Sequence, residues 1–113
     1  MHEVGMMQNV LATAVERAKH EGASHIRLLQ MRVGEASGVV PESLRLAFDV
    51  VKKETIAEDA RLQVESVPVV CYCTNCTTEF HPTDLLYECP ECHQPYCEVR
   101  QGKEFELAFL EVS

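Results

Sequence analysis

Two Cys-x-x-Cys pairs constrain this chain more than any other feature. Cys73 and Cys76 form the first pair, Cys89 and Cys92 the second, and twelve residues separate them. Each pair places two thiolates on one tight turn, and two such turns closing on one ion is the spacing of a tetrahedral Zn(II) site. A module of about thirty residues has too little apolar surface to fold alone, so the metal supplies its folding energy. The alternatives are iron in a rubredoxin-like site and disulfide or redox-active pairs, the latter suited to an oxidising compartment. Thr77 and His93 stand where a knuckle glycine is usual, which argues against iron and against a very regular ribbon. Of the two remaining cysteines, Cys71 is the nearer competitor for a ligand position, and both Cys71 and Cys97 read as free thiols. His93 reads as a solvated neighbour of the site and His81 as exposed in the turn between the knuckles. Four thiolates leave no open position for water, so hydrolytic zinc chemistry is excluded.

The rest of the chain alternates helix and strand. Residues 4–21 form an amphipathic helix with Val4, Met7, Leu11, Ala14, Val15 and Ala18 on one face and Gly22 as its stop. Met6 and Met7 at this spacing are core filler rather than soft metal ligands. His25 to Gly34 is a strand whose apolar residues change parity, so either both faces are covered or a bulge lies near Leu28-Leu29. The loop from Gly34 to Gly38 carries neither a GK[ST] signature nor a basic residue, which removes nucleotide binding. A helix follows from about 41 to 53, with Pro41 at its first position, Leu44, Ala47, Phe48 and Val51 buried, and Lys52 and Lys53 closing its last turn. Arg61 to Val67 alternates, with Leu62 and Val64 inward, and strand, helix, strand in this order predicts a parallel pair. Glu104 to Val112 is a third strand, with Phe105, Leu107 and Phe109 on one face.

The chain therefore leaves a sheet at Pro68, builds a cysteine module and returns near Gly102. The expected fold is α+β: a small mixed three-stranded sheet with two helices over residues 1–68 and 102–113, and an inserted four-cysteine zinc module over residues 69–101. No uninterrupted apolar run spans a membrane and no secretory signal opens the chain, so a cytoplasmic protein is expected. The formal net charge is −8, and no lysine or arginine lies between Arg61 and Arg100. Such a module does not release counterions from a phosphate backbone, which sets nucleic acid aside. A basic protein partner or a metal cation fits this balance.

At the other end, a free α-amine on Met1, the His2 imidazole and the intervening amide can close chelate rings on one ion. Nitrogen donors in a plane suit Ni(II) or Cu(II) rather than Mg or Ca. The bland alternative is a solvated terminus.

Taken together these pieces resemble the HypA/HybF family of hydrogenase nickel-incorporation proteins. The matching residues are Met1-His2-Glu3, Gly34-Glu35-x-Ser37, Pro41-Glu42-Ser43-Leu44, the Cys73/Cys76 and Cys89/Cys92 knuckles, and Gly102-x-Glu104 before the last strand. The resemblance implies a nickel metallochaperone and no enzyme. It implies that His2, with the terminal amine of Met1 and nearby main-chain nitrogens, binds Ni(II), that Glu3 sits at the same site, and that the zinc is structural. It implies delivery of nickel to the [NiFe]-hydrogenase large-subunit precursor in concert with the GTPase HypB, and in some relatives to urease maturation. The chain would act as a monomer or homodimer. Two rival readings are a zinc-module protein-interaction adaptor in metalloenzyme assembly and a thiol oxidoreductase using Cys71 or Cys97.

Overall fold

The computed structural model describes residues 2–113; the chelating amine expected at Met1 lies outside the described residues. Helix α1 (His2–His20) leads into strand β1 (Ile26–Gly34), helix α2 (Pro41–Val51) and strand β2 (Arg61–Val67). Short strands β3 (Val70–Cys73), β4 (Thr78–Phe80) and β5 (Glu98–Gln101) follow, and β6 (Phe105–Val112) ends the chain. Two three-stranded sheets result, ordered β2-β1-β6 and β4-β3-β5. In the first, β1 pairs parallel with β2 and antiparallel with β6, so the sheet is mixed as the order of elements requires.

Helix α1 begins earlier than its apolar repeat predicts, at His2 rather than near Val4, so His2 and Glu3 belong to its first turn. Its buried stripe is Met7, Leu11, Ala14 and Ala18. It stops because Gly22 takes a φ of 77° and lets the Ala23 amide reach back to the Ala18 carbonyl at 2.9 Å. Pro41 opens α2, which buries Leu44, Ala47 and Phe48 and ends at Val51, so Lys52 caps the helix and Lys53 lies beyond it rather than in the last turn. The two helices cover one face of the sheet, where Ile26, Leu29, Met31 and Val33 complete the core. On the other face Arg32 bridges the three strands, 3.3 Å from Glu65 and 2.8 Å from Glu106.

The parity change in β1 is a bulge. Pairing with β6 slips between Ile26 and Leu28, one residue before the expected place, and again between Gln30 and Met31. The second slip passes over Ala108 and corrects the expected face of β6. Phe105 and Leu107 pack on the core as expected, but beyond Ala108 Leu110 takes the inward position and Phe109 is 42% exposed. One extra residue in one strand turns every later side chain to the opposite face.

The second sheet has its own small core of Cys71, Cys73, Cys89 and Cys97, against which Val69, Phe80, Tyr87 and Val99 pack. The chain crosses between the two sheets twice, and both crossings are tied to the loop after β1. Glu35 donates to the Val67 carbonyl at 2.9 Å, Ala36 to the Gly102 carbonyl at 2.7 Å, and Gln101 Nε2 to the Pro68 carbonyl at 3.0 Å. A Cβ on Gly34 would collide with the Gly102 carbonyl, so only glycine permits this approach. Gly102 itself, at a φ of 116°, donates its amide to the Glu104 carboxylate at 2.8 Å. The amide of Glu104 itself and that contact hold the Glu104 carboxyl below the usual carboxylate range. Gly34 and Gly102 therefore meet in space, as the joint between the sheets.

Candidate metal centre

The first knuckle is the turn of the β3–β4 hairpin. Cys73 pairs with Thr78, and Thr74 to Thr77 close the loop. The second is a turn in which the Cys89 amide donates to the Gln94 carbonyl and the His93 amide to the Cys89 carbonyl, both at 2.9 Å. The Tyr96 amide to the Leu86 carbonyl at 2.8 Å and the Cys97 amide to the Tyr87 carbonyl at 3.1 Å tie its flanks together. Asn75 Nδ2 donates to Gln94 Oε1 at 3.1 Å and joins the two turns. The glycine missing after each pair leaves its conformation behind: Thr77 and His93 adopt φ of 54° and 64°, the left-handed geometry the turn demands.

The four sulfurs of Cys73, Cys76, Cys89 and Cys92 all lie within 4.8 Å of one another. Cys73 Sγ is 3.5 Å from Cys92 Sγ, and Cys89 Sγ is 3.9 Å from Cys76 Sγ. Tetrahedral thiolates about 2.3 Å from a Zn(II) ion stand about 3.8 Å apart, so the cluster fits that ion. Cys73 and Cys89 are buried, Cys76 is half-buried and Cys92 is exposed, so the site sits at the surface of its module. Charge in the cluster is unevenly held. The Cys76 amide, assisted by the Cys92 and Cys89 thiols, lowers the Cys73 thiol to about 7. Contacts with Cys92 first, then burial and the other sulfurs, push Cys76 up to about 12. Four thiols at this spacing share their protons until a cation replaces them.

Of the spare cysteines, Cys97 and not Cys71 leans on the centre. Cys97 donates to the Gln94 carbonyl at 3.2 Å, the same oxygen that takes the Cys89 amide. Burial and then the nearby Cys73 push its thiol up. Cys71 stands outside the four-sulfur group, and burial raises its thiol as well. A reactive thiol is exposed and acidic; Cys71 is 0% and Cys97 9% exposed, which removes both as oxidoreductase nucleophiles. Sequence spacing favoured Cys71 because it shares a face of β3 with Cys73, but two residues of strand set it about 6–7 Å further along, outside the four-sulfur group. His93 is exposed beside Glu88, 3.2 Å from its carboxylate, and His81 is exposed with its ring 3.2 Å from the Val69 carbonyl.

At the start of α1, the His2 side chain is 72% exposed while Glu3 is 13% exposed, and His2 Nε2 lies 3.8 Å from Glu3 Oε2. The amides of a first helical turn have no acceptor within the helix. This end holds one imidazole, one carboxylate and main-chain nitrogens free of helical bonds.

A family model described as "Hydrogenase/urease nickel incorporation, metallochaperone, hypA" matches residues 1–112. A protein named hydrogenase maturation factor HypA from Picosynechococcus sp. is 48% identical over 112 residues, covering 99% of each chain. One of the same name from Chloroflexus aurantiacus is 35% identical over 112 residues, covering 98% of each. A solution structure of a HypA protein superposes with a TM-score of 0.76 at 29% identity, covering 100% of this chain and 97% of that one. The solution structure of the Ni metallochaperone HypA from Helicobacter pylori gives 0.70 at 28% identity, covering 97% and 96%.

Proposed function

Because the chain belongs to the HypA family of hydrogenase and urease nickel-incorporation metallochaperones, we propose that it carries Ni(II) on the first turn of α1 and delivers it to an [NiFe]-hydrogenase large-subunit precursor. It is a maturation factor and not an enzyme. The family match over residues 1–112 carries the reading, together with an imidazole that stands exposed on that turn.

His2 supplies its ring, and Met1, His2 and Glu3 supply the terminal amine and amide nitrogens. Those amides are not committed to helical hydrogen bonds, so a metal takes them without opening α1. The positive end of a helix opposes a cation. An amide nitrogen has no free electron pair to offer until it loses its proton, so binding is also pH-dependent and moderate in strength. The covered Glu3 carboxylate lies beside the imidazole, and the exposed ring leaves the ion open to a receiving ligand.

Residues 69–101 form a zinc module held by Cys73, Cys76, Cys89 and Cys92, and residues 1–68 with 102–113 form the nickel-binding domain. Zn(II) suits this donor set because it fills all four positions with thiolates and leaves none for chemistry. The partners that accord with this role are the GTPase HypB and the hydrogenase precursor, with urease maturation proteins as further clients, in a reducing cytoplasm. No described helix is long and apolar enough to cross a membrane.

The test is a calorimetric Ni(II) titration of zinc-loaded protein starting at Met1, beside His2→Ala and a form extended before Met1. The native form is expected to bind about one nickel per chain, and both altered forms to lose it. Equal binding by all three would move the nickel site elsewhere.

A further inference from the structure

We propose that the cleft between the loop after β1 and the cysteine module, with the apolar patch at its rim, docks a protein segment that presents an apolar anchor beside a lysine or arginine. The inference rests on the reading that this chain hands nickel to a protein. The cleft has a volume of about 580 Å³ and runs from Glu35, Ala36 and Gly38 across Pro68 and His81 to Asp84 and Leu85. Leu85 is 88% exposed, Leu86 49% and Tyr96 76%. These three are contiguous: Leu86 follows Leu85, and Tyr96 is bonded to Leu86 through the backbone at 2.8 Å. The Asp84 carboxylate accepts the Leu86 amide at 2.9 Å, which fixes the turn that holds the leucines out. Single exposed apolar residues are ordinary, whereas a contiguous group with a polar rim marks an interaction surface.

Charge names the occupant. From Val69 to Val99 there are five carboxylates, Glu79, Asp84, Glu88, Glu91 and Glu98, and no lysine or arginine. A Zn(II) held by four thiolates adds a net charge of roughly −2. Glu35 and Asp84 both line the cleft, and none of its other lining residues is a lysine or arginine. A cationic side chain entering there meets carboxylates from both sides, while an adjacent aliphatic or aromatic residue covers Leu85, Leu86 and Tyr96. A second copy presenting the same surface is a poor occupant, since the two would set acidic rims against each other. A phosphate backbone and an anionic membrane are opposed for the same reason.

Position connects the cleft to the cargo. Helix α1 (19 residues) and strand β1 (9 residues) span similar lengths, about 28 and 30 Å, and a short turn joins them antiparallel. His2 therefore lies at the end of the sheet where β1 finishes at Gly34, the end that carries the cleft. A partner seated on the module meets the nickel end of the nickel-binding domain.

The test measures binding of the purified hydrogenase large-subunit precursor to the zinc- and nickel-loaded full chain at low and high salt. Zinc content and nickel affinity are recorded for every variant. Leu85→Ser with Tyr96→Ser, and separately Glu35→Gln with Asp84→Asn, are expected to weaken binding at least roughly tenfold with both metals retained. The charge variants should also flatten the salt dependence. Glu35→Lys, which alters an exposed side chain of the cleft, gives a second reading of the charge arm. Wild-type affinity in these variants, no response to salt, or self-association as the only property that changes would overturn the proposal. A wild-type chain that binds nickel but no precursor overturns the docking surface and leaves the nickel reading. One that binds precursor through this surface but no nickel does the reverse.

Discussion

Thr77 and His93 hold a backbone conformation that each pays for in a different way. A left-handed φ costs an L-residue roughly 1–2 kcal/mol, most for a β-branched side chain and least for a residue such as histidine. Both are held there because the turn after a cysteine pair has no other way to close, and Thr77 adds a hydroxyl bond to the Cys76 carbonyl at 2.7 Å. Glycine removes the strain but adds chain entropy to the unfolded state, leaving a net gain of about 0.5–1 kcal/mol. Thr77→Gly is therefore expected to raise the thermal midpoint of the zinc-loaded protein, and His93→Gly to raise it less, by scanning calorimetry. A lower midpoint for Thr77→Gly would mean that the hydroxyl bond outweighs the strain. The four sulfurs that come together were legible in the sequence because Cys-x-x-Cys is a local rule and a turn brings both thiols to one side. The neighbour of the centre was not legible. Cys97 reaches Gln94 through the fold of the second turn, and nothing in the spacing after Cys92 distinguishes that from a thiol facing away.

At the scale of elements, the periodic segments were legible and their irregularities were not. The stripe of α1, the Pro41 start of α2 and the alternation of β2 follow from repeats of 3.6 and 2 residues, and the order strand, helix, strand fixes a parallel pair. The bulge at Ala108 has no signature in a run as uniform as Phe-Glu-Leu-Ala-Phe-Leu. It arises from the partner strand, because β6 must match a β1 that is itself irregular. Its consequence is measurable. Leu110→Ala removes a side chain packed on the core and should cost about 1–2 kcal/mol in denaturant unfolding, less than a fully buried leucine. Phe109→Ala removes a larger ring that is 42% exposed and lies off the core, and should cost less than Leu110→Ala. The reverse order would restore simple alternation and remove the bulge. The junction belongs to the same scale. Gly34 and Gly102 were visible as residues of a family pattern, yet their meeting at a backbone contact no Cβ would allow is a property of two elements 68 positions apart.

The whole molecule is two small cores joined by that contact, stretched over 54 × 28 × 16 Å, and they are stabilised by different physics. The first is an ordinary apolar core between helices and sheet. The second is centred on buried cysteines, and its electrostatics conflict until a metal arrives. Cys73 ionises near 7, below its ordinary value of 9.0, so its contribution to the metal-free fold is full above that value and fades as pH falls through 7. Cys76 is held up near 12, so its contribution is full below 9.0 and is lost as pH rises toward 12. No single pH satisfies both groups, whereas a Zn(II) ion accepts all four as thiolates. Zinc uptake must then expel whatever protons the cluster still holds. Between about pH 6 and about pH 8 Cys73 gives up its own proton, so the number each zinc releases should fall by about one. Zinc titrations in buffers of different ionisation enthalpy measure that count directly. An unchanged count across this range would mean that the Cys73 thiol is not held near neutrality and that the cluster is assembled by the metal rather than poised for it. The expected fall ties zinc retention to pH in one direction, with acid favouring release. A chain that loses zinc in acid then loses the wall that carries Asp84, Leu85 and Tyr96, and with it one side of the proposed docking cleft.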